Sequence, residues 1–129
     1  MSYFDDSRSE TPTEDGYFTD RDALPSFRPG EGLRMDILQR PDVLFSFVTL
    51  EPGAVAAAHS HSEEQVVIVL EGEMTFTIDG EERVMKHGDI AVVPPWVPHG
   101  AVAGPNGCRE VDVFSPPRAA LVEAISQAE

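Results

Sequence analysis

The chain has 129 residues, 41% of them hydrophobic, with 23 acidic against 9 basic side chains and a formal net charge of −14. That length holds one domain with a real core, and the acidic excess argues against nucleic acid or an anionic membrane as partner. No apolar run approaches a membrane span and the start, MSYFDDSRSE, lacks a signal pattern, so the expected location is cytoplasmic; the single cysteine, Cys108, rules out an internal disulfide.

Residues 1–30 read as an acidic arm, with Asp5, Asp6, Glu10, Glu14, Asp15 and Asp20 in its first twenty positions. Tyr3, Phe4, Tyr17 and Phe18 give this arm apolar groups with which to dock on a neighbour. Pro25, Pro29, Gly30 and Gly32 punctuate the entry to the folded part, residues 31–129. Short strands follow at Leu33–Leu38, Val43–Leu50, Val55–His61, Gln65–Leu70 and Glu73–Ile78. Asp79-Gly80 is a hairpin signal, after which Glu82–Lys86 returns and Ile90–Val93 forms the next strand. Pro94 to Pro98 makes a rigid elbow into His99, Gly104 to Gly107 reads as a loop, and Arg109–Phe114 as the last strand. Arg118–Ser126 has helical composition, with Leu121, Val122 and Ile125 on one side. Many short strands and one terminal helix predict an all-β sandwich or barrel.

His59 and His61 are two residues apart, so in an extended chain their imidazoles share a face, roughly 6–7 Å apart. Neutral imidazole is a common ligand for divalent transition metals, and two on one face make half a site. Gln65 has the same parity, and a barrel that folds back on itself can bring His99 opposite the pair. His87, in a turn beside Gly88, reads as a surface residue, and Cys108 as a small packed or half-exposed one.

The spacing Gly53-(five)-His59-x-His61-(three)-Gln65-(six)-Gly72, with Gly88-Asp89-(four)-Pro94-x-Trp96-x-x-His99, closely resembles the two motifs of the cupin superfamily. The resemblance implies a double-stranded β-helix, a jelly-roll barrel, to which this chain adds the N-terminal arm and the short C-terminal helix read above. It also implies a divalent transition metal (zinc, nickel, iron or manganese) held by His59, His61, Gln65 and His99. Gln65 departs from the usual glutamate and Trp96 from a common glycine. An amide binds a metal through its oxygen but adds no charge, so the ion keeps its full +2 and suits Lewis-acid work. Glu64 offers an acidic alternative to Gln65, although its parity points it to the opposite face.

Alternation in Arg109–Phe114 places Asp112 and Phe114 on one face and Val111 and Val113 on the other. Either that face meets solvent or Asp112 is functional, because an unpaired buried carboxylate is costly. The stretch DVFSPPR, Asp112 to Arg118, resembles the KdgF group of small cupins, which linearise unsaturated uronates. That resemblance implies Asp112 for proton transfer, Phe114 as a pocket wall and Arg118 as a clamp for a substrate carboxylate or carbonyl. Trp96 and Phe76 are further candidates for the substrate pocket.

The expected function is therefore that of a metal-dependent small cupin enzyme. It would perform isomerase, lyase or cyclase chemistry on an oxygen-rich small molecule, sugar-acid or polyketide-like. An Fe(II)-dependent dioxygenase and a non-catalytic small-molecule-binding cupin are the alternatives. Resemblance also implies a homodimer.

Overall fold

In a computed structural model, residues 3–4 and 10–127 are described. The strands are β1 (Ser26–Phe27), β2 (Leu33–Gln39), β3 (Leu44–Leu50), β4 (Val55–His59), β5 (Glu64–Ile78), β6 (Glu81–Lys86), β7 (Ile90–Val93) and β8 (His99–Ser115); helix α1 spans Ala119–Gln127. All ladders are antiparallel. One face runs β1-β2-β3-β8-β5-β7 and uses the C-terminal half of β8 with the N-terminal half of β5. The other runs β4-β8-β5-β6 and uses the remaining halves. Two sheets that share their longest strands form the jelly roll. Among the described residues no helix is long and apolar enough to cross a membrane.

The expected strands fall close to the observed ones, with two corrections. The segments expected as Gln65–Leu70 and Glu73–Ile78 are one strand, and the Gly104–Gly107 loop lies inside β8. Both changes have one cause. β5 and β8 pair along nearly their whole length and slip register between Val69 and Glu71 and between Gly72 and Met74. Those slips turn the pair from one sheet into the other without ending either strand. Gly72 sits at the corner with φ +74°, and a Cβ there would collide with the Gly107 carbonyl oxygen. The Asp79-Gly80 hairpin forms as expected, both residues at positive φ between Ile78 and Glu81.

Inward rows are buried and mostly apolar. Ile37, Ser46, Asp112, Val67 and Ala91 lie side by side across five strands, with Leu44, Phe114, Gln65 and Val93 in the next row. The outward rows are apolar too. Leu38, Phe45, Val113, Val66 and Val92 form one, and Phe47, Val111, Ile68 and Ile90 another that begins at Asp36.

The stretch set apart as an arm is tied to this outer face from Glu14 onward. Glu14 pairs with Arg40, and the Arg40 guanidinium lies 6.0 Å from the Tyr17 ring centroid. Arg21 donates to Asp36 Oδ2 through Nε and Nη2 at 3.2 and 3.0 Å, and its guanidinium lies over the Phe47 ring. Arg34 and Ser26 donate to Asp36 Oδ1 at 3.1 and 2.7 Å. Ser26 and Phe27, assigned to the arm from sequence, pair with Asp36 and Met35 of β2. Burial opposes ionisation of Asp36, but the hydrogen bonds from Ser26, Arg21 and Arg34 outweigh it and hold the carboxyl below its usual 3.8.

Asp36→Ala is expected to cost about 2 kcal/mol and to open the bond after Arg21 to trypsin, as a melting curve and a digestion time course would show. Because the pKa is lowered in the fold, the stabilisation from Asp36 is present above pH 3.8 and lost as pH falls through the lowered value. Asp36→Asn should therefore flatten the acid limb of the stability profile.

Candidate metal centre

Three elements deliver three imidazoles to one end of the barrel. His59 closes β4, His61 lies in the connection to β5, and His99 opens β8 opposite His59. His61 is thus outside the strand that the two-residue spacing suggested, and β4 is irregular between Ala56 and His59. The rings still converge, with centroids 5.6 Å apart for His59–His61, 4.3 Å for His59–His99 and 4.9 Å for His61–His99. One nitrogen from each lies within 4.8 Å of the others. Gln65, from β5, places Oε1 3.0 Å from His61 Nε2. Glu64 points outward and is exposed, as its parity required.

Backbone carbonyls fix the tautomers. His59 Nδ1 donates to Ala57 O at 2.7 Å, His61 Nδ1 to Glu63 O at 3.0 Å and His99 Nδ1 to Val97 O at 2.9 Å. A carbonyl can only accept, so each Nδ1 carries the proton and each neutral ring keeps a lone pair on Nε2. His99 Nε2 is buried and lacks a hydrogen-bond partner among the described residues. Burial lowers the pKa of His99 to about 4 and also lowers that of His59, so both are neutral near pH 7. The Gln65 oxygen lies beside His61 Nε2, so a cation placed between them would have both as ligands. Three imidazoles and an amide oxygen thus fit a divalent transition metal.

Around the histidines stand Phe114, 5.6 Å from the His61 ring, and Phe76, 6.2 Å from the His99 ring. The half-buried Arg118, just ahead of α1, lies 5.7 Å over the Phe114 ring. Asp112 is buried, in hydrogen-bond contact with Gln65 and Glu110, and feels the charge of Arg118. Burial raises its carboxyl above the usual range, against the opposing pull of those partners. Trp96 reaches the site through its backbone, where its amide donates to His61 O at 2.8 Å; its indole faces solvent, 67% exposed. His87 is exposed. Cys108 is packed in the core, where burial pushes its thiol up to about 11.

Beside Asp112 and the histidines, two buried acids were missed from the sequence. Glu63 accepts from the Ala119 amide, the first residue of α1, at 2.8 Å. Its burial opposes ionisation, but that amide and the nearby His61 and Arg118 lower its pKa on balance. Glu110 is 4% exposed and shares the inward face of Asp112. The alternation that singled out Asp112 applies equally two residues earlier.

Residues 46–114 match the cupin domain. The pectin degradation protein KdgF of Dickeya dadantii is 32% identical over 105 residues, 80% of this chain and 94% of that one. The chain belongs to the cupin family. Among solved structures, KdgF from a Halomonas species superposes with a TM-score of 0.76 at 29% identity, over 83% of this cupin and 99% of that chain. Gentisate 1,2-dioxygenase 1 of Aquipseudomonas alcaligenes is 40% identical over 52 residues, which is 40% of this cupin but 15% of that enzyme.

Purified untagged protein should carry about one divalent transition metal per chain, and a Gln65→Ala, His99→Ala protein almost none, by plasma mass spectrometry. Parent protein that takes up no metal on titration would refute the site.

Proposed function

We propose that this cupin linearises a small unsaturated uronate, using Asp112 for proton transfer and Arg118 for the substrate carboxylate. The observation that carries this reading is the juxtaposition of a buried acid, a half-buried arginine and two phenylalanines with the three-histidine cluster. The likeness to KdgF over nearly its full length supports it. A bound divalent ion, held by His59, His61, Gln65 and His99, supplies Lewis-acid polarisation of a substrate oxygen.

The chain's own residues do the remainder. Arg118 presents a planar fork that matches a carboxylate, and partial burial strengthens the pairing. Phe114 lies beneath the guanidinium, limiting its swing and keeping water off one face. Asp112 Oδ1, buried and without a partner among the described residues, accepts the proton of the substrate's ring hydroxyl. With that hydroxyl on the carbon bonded to the ring oxygen, its C–O bond becomes an aldehyde C=O as the bond to the ring oxygen breaks. The ring oxygen leaves as the enolate oxygen of the adjoining double bond. The proton returned to the far alkene carbon turns that enolate into a ketone, so atoms and electrons balance with no co-reactant. The raised pKa of Asp112 suits a group that must both take and return a proton near neutrality.

An Fe(II)-dependent dioxygenase is the second reading, favoured by the local identity to gentisate dioxygenases. Turnover under strict anaerobiosis with zinc or nickel would dismiss it. Tight ligand binding without product in calorimetry would instead favour a non-catalytic binding cupin.

We also propose that the apolar outer face of the larger sheet is closed by a second copy. Ile90 and Val92 are 63% and 55% exposed, and the one acid in these rows, Asp36, is paired with Arg21 and Arg34. Five strands and two outward rows give a footprint of roughly 300 Å². The arm's exposed Tyr17 and Phe18 extend it toward the about 800 Å² that each partner of a stable dimer buries.

Asp112→Asn should lose about 10²- to 10⁴-fold in kcat on an unsaturated uronate while keeping its metal, and Arg118→Lys should mainly raise KM. Loss of the substrate's ultraviolet absorbance reads both; an Asp112→Asn protein with the parental rate would sink the acid–base role. In light scattering the parent should be a dimer that tightens with salt, since screening weakens repulsion between two chains of charge −14. An Ile90→Lys, Val92→Lys protein should be monomeric.

A further inference from the structure

The buried Glu110 serves no part of the mechanism above, yet its position is costly. In the ladders it stands between Val48 of β3 and Val69 of β5, which are 4% and 1% exposed. Among the described residues no cation pairs with it, and its Oε1 has no hydrogen-bond partner. Its polar contact is the carboxyl of Asp112, two residues along the same inward face. A carboxyl placed in an apolar layer costs several kcal/mol when charged. A hydrophobic residue would fill the same position at no such cost.

We propose that Glu110 is a positioning residue for Asp112: a neutral carboxylic acid that donates a hydrogen bond to the Asp112 carboxylate and fixes its orientation toward the metal-centre pocket. This rests on the reading of Asp112 as the proton-transfer group. Two carboxyl groups in hydrogen-bond contact must share a proton, because two carboxylates offer only acceptors. The surroundings decide where it resides. Asp112 has Gln65 as a further hydrogen-bond partner and lies in the field of Arg118 and His59. Glu110 faces Val48, Val69 and the Cys108 thiol besides Asp112. Glu110, buried between Val48 and Val69 with no cation beside it and no donor to its Oε1 among the described residues, is the member of the pair placed to keep the proton. With one oxygen engaged from behind, Asp112 keeps Oδ1 for a ligand.

The experiment compares parent, Glu110→Gln and Glu110→Leu proteins, all metal-loaded. At neutral pH the parent's infrared spectrum should show the carbonyl band of a buried protonated carboxylic acid. That band should vanish in Glu110→Gln and shift in Asp112→Asn. Glu110→Gln keeps a donor toward Asp112 and should retain kcat on the unsaturated uronate within about threefold. Glu110→Leu should lose roughly 10- to 100-fold in kcat with KM and metal content little changed and the melting temperature not lowered. Absence of the acid band in the parent, or parental kcat in Glu110→Leu, would overturn the proposal. If the parent itself fails to turn over the uronate, the functional reading falls, and the infrared result alone decides the Glu110–Asp112 contact.

Discussion

The pairing of β5 with β8 is the constraint on which the rest of the structure depends. One ladder runs from Glu64 opposite Ser115 to Ile78 opposite His99. Its inner end sets Gln65 against Phe114 and Val67 against Asp112, and its other end fixes where His99 enters the barrel. A slip of one residue would put Gln65 on the opposite face from Asp112 and Phe114. The register slips near Gly72 are therefore part of how the site is built. They let two strands serve both sheets, so residues from opposite ends of the same ladder meet in one pocket.

Backbone geometry does a second job that side-chain identity alone does not. Three carbonyls, of Ala57, Glu63 and Val97, lie within 3.0 Å of the three Nδ1 atoms, and none of these carbonyls is on a flexible side chain. Each fixes both the orientation and the tautomer of its ring before any ligand arrives. The histidines need not reorganise to present their lone pairs, which is the condition for a preformed metal centre. Glu63 extends the same economy of means. Its carbonyl holds His61, while its carboxylate caps the first amide of α1 and so anchors the segment that carries Arg118.

Much of this was legible in the chain itself. The Asp79-Gly80 turn, the strands from Leu33 on and the terminal helix follow from alternation and turn chemistry, which act locally. The histidine spacing, read through its resemblance to the cupin motifs, pointed to the three imidazoles that the fold brings together. What local rules miss is what the two sheets share. Gly104 to Gly107 reads as a loop because glycine and proline weaken a strand, yet pairing with β5 holds it extended. Ser26 and Phe27 are too short a strand to show any period and depend on Asp36 for their place. Glu110 was passed over because a glutamate beside valines reads as surface. Only the three-dimensional row shows valines on both sides of it.

Charge distribution connects the surface to the interior. The chain carries −14 overall, so the proposed anionic sugar acid would meet repulsion on approach. That repulsion fades beyond about 8 Å at physiological salt, which leaves capture to short-range forces inside the pocket. There the sign reverses. As proposed ligands, the histidines and Gln65 would leave a bound ion its full charge, and Arg118 adds another positive centre. The acids beside these groups are Asp112, in contact with Gln65, and Glu63, beside His61 and Arg118; Glu110 in its proposed neutral form adds no further negative charge. Glutamate in place of Gln65 would remove one unit of that positive charge at the point where a substrate oxygen must be polarised. The uncharged amide is therefore consistent with a site that draws its anion in by local charge and spends the same charge on the reacting oxygen.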